Sequence, residues 1–404
     1  MKFRKININR KEDIFLVGWL FILVYYLIIS GTKLVQIIPE PKAVKWIFVG
    51  LSLSLWLLKI IKDKYNTKIF VFIVSLCCIL GLASVFSGKE ILLVTIVFVI
   101  ASKEVDLERF VRFDVFVRLS SILFIFLLTI LNVLPSAVMN IDGVQKHTFG
   151  WLSANTFASN VVIVLLEFLY IKWKRIRLRD YAVVIGVLIF LYFYATARTS
   201  IFDFIFVLVW LVLVRKKTDR EQKGTRKIGA VIYSLTVVGC VALSYILVFI
   251  YSLGNSLSTQ IDRLFTHRLY FSLKYITKYG FSLFGQEVEH VSSVNAAETG
   301  SAYSGVDMSY FLIPIQYGIL FFAFFIIYFS VILFCLYKYN RYREMMFVLF
   351  FLIAGITSNV VIQFYRNFTW LFIWIVINDV INNKRKVQHT RMEDVSWIPT
   401  RGMK

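Results

Sequence analysis

Apolar residues along this chain come in blocks rather than in alternation. The blocks run at 14–32, 44–61, 69–86, 90–102, 114–134, 150–171, 181–197, 199–214, 228–252, 309–337, 345–365 and 367–381. Most are longer than an ordinary core helix needs, and roughly 20 apolar residues cross the hydrocarbon of a bilayer. A segment inside hydrocarbon has to satisfy its own backbone hydrogen bonds, so the pattern predicts helices and not strands. We read an all-α polytopic membrane bundle of about twelve spans, the shortest at 90–102, forming a single integral unit over residues 1–404.

One long interval breaks the pattern. Residues 252–307 form a loop in which polar and charged side chains return at helical spacing. Within 258–280, Arg263, His267, Tyr270, Lys274 and Lys278 follow one another at steps of four, three, four and four. Ile261, Leu264, Phe265, Leu269, Leu273 and Ile276 fill the positions between them. That periodicity predicts an amphipathic helix lying on the membrane surface with one cationic stripe.

Composition and charge refine this picture. The chain is 59% hydrophobic and carries a net charge of +21, but its cations sit in short runs between apolar blocks and form no continuous face. That distribution speaks against a nucleic-acid partner and for the bilayer itself. With the N-terminus inside, 34 of the 45 Lys and Arg residues fall on inner segments and eleven on outer ones. The positive-inside rule then places both termini in the cytoplasm, with 382–404 as a basic cytoplasmic tail and 252–307 outside. The first apolar run has no small-residue cleavage site, so it reads as a retained span. Cys77, Cys78, Cys240 and Cys335 lie within apolar blocks at no metal or redox spacing, and read as packing residues.

Chemistry-bearing side chains gather on the outer segments. "QKHTFGWLSANTFASN" offers Lys146, His147 and Asn155 at a span start, and small polar residues there also suit close packing. "TARTS" places Arg198 in a tight outer turn, with Asp203 as its nearest acid in sequence. The long loop supplies Asp262, Arg263, His267, Arg268 and Lys274, then Asp307 and Tyr310 at the mouth of the next span, and Arg366 stands in another outer turn. Four arginines and several acids on one face predict an anion-binding cavity at the outer leaflet, suited to a lipid-linked phosphate or pyrophosphate. No paired-aspartate motif occurs in an outer loop, so neither a metal nor a cofactor is expected.

Taken in order, "FGWLSANTFA", "TARTS", "DRLFTHR" and "DMSYFLIPIQYGI" resemble the Wzy-type O-antigen and capsular repeat-unit polymerases over roughly residues 140–330. O-antigen ligases share the pattern. Two departures stand out: Ala154 replaces the family's usual proline, and Ala197 precedes Arg198 where serine is commoner. The resemblance implies a GT-C-like glycosyltransferase of the bacterial cytoplasmic membrane with an extracytoplasmic active face. It would join oligosaccharide repeat units carried on undecaprenyl pyrophosphate, for capsule, exopolysaccharide or O-antigen. A flippase and chain-length regulators are implied partners.

An attacking sugar hydroxyl needs a base, and a departing pyrophosphate needs cations. Asp307 or His267 would be the base. Arg198, Arg263 and Arg268, with Arg366 behind them, would hold the pyrophosphates, and His147, Asn155, Lys274 and Tyr310 would contact substrate. A ligase reading and a flippase or other transporter reading stay open. Glu167, the clearest acid within a span, is the feature that favours a transporter.

Overall fold

The computed structural model describes residues 11–136, 138–141, 144–195, 198–217, 225–291 and 303–381. The expected tail 382–404 lies outside the described residues, as does the middle of the basic run "RKKTDREQKGTRK". Every apolar block described is helical over most of its length. The elements are α1 (Lys11–Leu23, continued by a π turn Val24–Ile29), α2 (Pro41–Lys62), α3 (Thr67–Ser87), α4 (Ile91–Ala101), α5 (Leu107–Ile130), α6 (Ala154–Lys172), α7 (Leu178–Phe190), α8 (Arg198–Lys217) and α9 (Thr225–Ser252). The loop contributes α10 (Ser256–Leu264) and α11 (Arg268–Tyr279). They are followed by α12 (Ser309–Leu312), α13 (Ile319–Lys338), α14 (Tyr342–Thr357) and α15 (372–381).

Among the described residues, eight helices are long and apolar enough to cross a membrane, and 91–101 is shorter. Their outward faces stay apolar: Ile61, Val85, Ile130 and Phe193 are each more than two-thirds exposed. Water would penalise such a belt and lipid would not, so this is a membrane protein.

Local chemistry explains the helix ends. Asn66 Oδ1 accepts from Ile69 N, Asp106 accepts from Glu108 N and Ser153 Oγ accepts from Thr156 N, each satisfying a donor the helix start leaves open. The interior is sealed by aromatic rings. Phe15, Trp19, Trp56, Phe98, Phe110 and Phe364 pack around one another, with Trp19 and Phe98 centred 5.0 Å apart. One end of the bundle is laced by ion pairs: Lys11 and Lys59 to Asp63, Arg109 to Glu12 and Asp13, and Arg341 to Asp379.

The structure departs from the sequence expectations in four places. The segment before α6, expected on the outer face, is an antiparallel hairpin, β1 (Val138–Ile141) with β2 (Val144–His147), pairing Val138 with His147. The block 309–337 is not one helix: a π turn at Ile313–Tyr317 and Gly318 separate α12 from α13. Residues 358–365, expected to finish a span, are not regular helix. Their backbone is held by side chains: Asn367 Nδ2 and Trp370 Nε1 both donate to Val361 O. The single amphipathic helix expected over 258–280 is two helices, because Thr266 and His267 adopt positive φ between them.

Candidate functional site

Asp262 causes that break. Its Oδ1 accepts from Leu269 N at 2.9 Å and Tyr270 N at 3.2 Å, capping α11, while its Oδ2 lies 3.1 Å from His267 Nδ1. The carboxylate spends its acceptors on a second helix start, so the first helix cannot run through. The turn redirects Arg268 inward. Arg263, Lys274 and Lys278 stay on the exposed side, where Lys278 pairs with Glu289 at 3.1 Å.

Arg268 opens into a cavity of about 970 Å³. Its lining comes from segments remote in sequence, at the end of the bundle away from the ion-pair lacing. The π turn of α1 gives Tyr25 and Tyr26, the start of α6 gives Asn155, Thr156 and Ser159, and the start of α8 gives Thr199, Ser200 and Asp203. The α10–α11 turn adds His267 and Arg268, residues 303–307 add Tyr303 and Asp307, and the irregular stretch after α14 adds Gln363, Tyr365 and Arg366.

Two hydrogen-bonded joints bring these segments together. Lys33 N donates to Gly150 O and Leu152 N to Gly31 O, tying the first span to the start of α6. Ser309 Oγ donates to Ser358 O at 2.6 Å, tying α12 to the end of α14.

The cavity is not simply cationic. Lys45 pairs with Glu90 on one wall. Arg268 Nε sits 3.7 Å from Asp307 Oδ2, and its Nη1 donates to Thr357 O. Thr357 Oγ1 in turn donates to Asp203 Oδ2 at 3.1 Å, leaving the buried Asp203 Oδ1 without a partner. Arg268 therefore has acids on both sides, and Asp203 serves this group rather than Arg198.

Arg366 is different. Its guanidinium lies against the Tyr365 ring, 5.7 Å from its centre; its Nε, like that of Arg268, is buried without a hydrogen-bond partner, but unlike Arg268 it has no described carboxylate within 4.0 Å. A half-buried arginine with unspent donors is suited to an anion.

Of the residues singled out from sequence, Asn155, His267, Arg268, Asp307 and Arg366 share the cavity. Arg198 starts α8 exposed, beside the cavity-lining Thr199 but outside the lining itself. Arg263 and Lys274 are exposed elsewhere, and His147 packs against Phe149 and Tyr194. Tyr310 is fully buried, its hydroxyl donating to Leu352 O at 2.6 Å.

Beneath the cavity lies a group the sequence reading did not isolate. Arg118 is 0% exposed, donating through Nε to Asp114 Oδ2 at 2.6 Å, through Nη1 to Asn160 Oδ1 at 3.3 Å and through Nη2 to Tyr365 O at 2.6 Å. Trp19 Nε1 also donates to Asp114, at 2.7 Å, and the fully buried Glu167 faces the same carboxylate. Arg118 looks in sequence like the last cation of a basic flank; the three-turn distance from Asp106 into a helix is what could have marked it as internal. Compared with protein-family models, with curated proteins and with solved structures, this chain matches none.

Proposed function

We propose that the chain is a membrane glycosyltransferase that polymerises lipid-linked oligosaccharide repeat units at this cavity. The observation that carries the reading is convergence. Separate outer stretches, each weak alone, contribute Asn155, His267, Arg268, Asp307 and Arg366 to one cavity of about 970 Å³. Arg366 supplies an unspent guanidinium for a diphosphate leaving group, and hydroxyl and tyrosine side chains supply the polar and stacking surface a sugar needs. Twelve spans, both termini inside and a GT-C-like arrangement belong to the same proposal, as does a bacterial cytoplasmic membrane location. Arg198 enters it as an exposed residue at the cavity's edge.

A transporter is the second reading. The buried Asp114, Arg118 and Glu167 group favours it, because ionisable side chains inside a bundle mark many ion-coupled paths, and helices broken beside a cavity are common there.

Deleting the gene in its host and restoring wild type, Arg366→Ala or Arg198→Ala at equal membrane abundance separates these readings when the glycans are sized. Wild type is expected to restore long chains, and Arg366→Ala to leave single units on the lipid carrier. Long chains that stay on the carrier identify a ligase instead. Single units retained on the inner leaflet identify a transporter.

A further inference from the structure

Beside the cations lies a notch with His290 and Tyr303 as its sides and Gly305 as its floor. Val291 N donates to Ser304 O at 2.8 Å and Ser304 N to Val291 O at 3.2 Å, holding the two stretches of chain side by side. The His290 ring stacks on Tyr275, 5.8 Å between centres and 19° between planes. Tyr275 is itself fixed, its hydroxyl donating to Glu289 O at 2.7 Å. His290 Nε2 lies 3.4 Å from Gln316 Oε1. An Nε2–H donated to that amide oxygen leaves the Nδ1 lone pair open.

Nδ1 faces the notch. A Cβ built on Gly305 would lie 3.3 Å from His290 Nδ1 and 3.1 Å from Tyr303 Oη, so both polar atoms close on the same side of this glycine, and all three residues line the cavity. Gly305 does not have a positive φ, so alanine there meets no backbone strain, but its methyl would crowd both polar atoms.

Tyr303 Oη already donates to Asp307 Oδ2 at 3.0 Å. It therefore presents a lone pair to the notch, as does Nδ1. Two acceptors side by side read a pair of donors, which neighbouring hydroxyls on one sugar ring supply. Asp307 Oδ2 accepts from Tyr303 and lies 3.7 Å from Arg268 Nε, so this carboxylate is tied to both neighbours.

We propose that this notch seats the accepting sugar, with His290 as the base for the attacking hydroxyl and Asp307 as a positioning residue acting through Tyr303. The assignment rests on the transferase reading above. In the step it describes, the hydroxyl proton passes to His290 Nδ1 and the freed oxygen pair forms a bond to the anomeric carbon of a polyprenyl-diphosphate-linked glycan. The carbon–oxygen bond to the diphosphate breaks, and that pair leaves with the diphosphate toward Arg366.

Burial holds the His290 pKa below its ordinary 6.5, and the nearby Lys89 acts the same way, while Gln316 and Asp307 oppose them. Burial and the Asp307 carboxylate push Tyr303 upward, so the phenol keeps its proton. With Tyr275 these are the titratable groups around the imidazole. His290 is thus a neutral base at pH 7, and its activity fails only as the pH falls through a value below 6.5.

The test uses the full-length protein in liposomes, supplied with lipid-linked repeat units extracted from the deletion host. His290→Gln is expected to lower kcat roughly 100-fold or more at unchanged melting temperature and to abolish the acid limb of the pH profile. Gly305→Ala, which crowds His290 Nδ1 and Tyr303 Oη, is expected to raise the apparent KM at least about tenfold. Asp307→Asn is expected to slow the enzyme but keep the acid limb. A His290→Gln protein with the wild-type rate and limb overturns the base assignment, as does an Asp307→Asn protein that alone loses the limb. Wild-type kinetics in Gly305→Ala overturn the notch. Wild type that forms no polymer from these units overturns the transferase reading itself, and the notch assignment with it.

Discussion

Arg268 and Arg366 bring the same charge to one cavity in different company. Arg268 lies between Asp307 and the Thr357–Asp203 pair, so part of its charge is answered before any ligand arrives. Arg366 has no described acid within 4.0 Å. Arg366→Ala is therefore expected to remove transition-state stabilisation, with a loss in turnover of roughly 100-fold or more. Arg366→Lys should recover little, because a point charge does not reproduce the planar fork. Single-turnover assays in liposomes check both.

Sequence had ranked these arginines the other way. Charge and motif position are legible in a sequence, but whether a guanidinium already has a partner depends on which helices meet. His290 and Tyr303 were hidden for the same reason. Neither sits in a recurring motif, and their partnership depends on the Val291–Ser304 bridge and on their close approach to Gly305.

Among the elements, the helices were the most legible part. The block at 69–86 became Thr67–Ser87 and that at 228–252 became Thr225–Ser252, because hydrocarbon leaves an apolar segment little choice but helix. Interruptions were less legible. Hydropathy passes unbroken through "YFLIPIQYGILFF", although Pro314 and Gly318 were available as signals. The hairpin before α6 likewise had a signal in the Asp142-Gly143 pair between two short runs.

In the long loop, periodicity correctly indicated helix but missed the turn, since Asp262 reads as one more charge until its role as a cap is seen. Asp262→Ala is expected to cost about 1–2 kcal/mol through the lost cap and to fray the start of α11. Thermal unfolding in detergent measures the first effect. Faster amide exchange at Leu269 and Tyr270, compared with α13, measures the second. Unchanged exchange there would show that the turn is held by something other than this carboxylate.

For the whole molecule, the decisive interior feature is the Asp114–Arg118 pair, which joins α5, α6 and the stretch carrying Tyr365. Removing one partner of a buried pair leaves a charge without compensation, at a typical cost of about 3–5 kcal/mol. Arg118→Leu is expected to unfold or deplete the protein, and Asp114→Leu with Arg118→Leu to restore folded protein in part. Detergent-solubilised yield and melting temperature check this. If the double variant folds well and still makes polymer, the group is structural. If it folds but glycan units accumulate on the inner leaflet, the transporter reading gains.

The crossing of the long loop over the broken helix has a further consequence. Gln286 N donates to Gln316 O, Ile319 N to Ser282 O and Leu320 N to Leu283 O, three rungs of main chain between them. The two chains approach so closely that a Cβ on Gly318, at φ 92°, would lie 2.5 Å from Gly285 N. Such a joint behaves like a weld rather than a hinge, so these stretches of the loop and the broken helix move as one piece. Gly318→Ala should loosen the weld, and the amides of Gln286, Ile319 and Leu320 would then exchange together and early, ahead of the rest of the bundle.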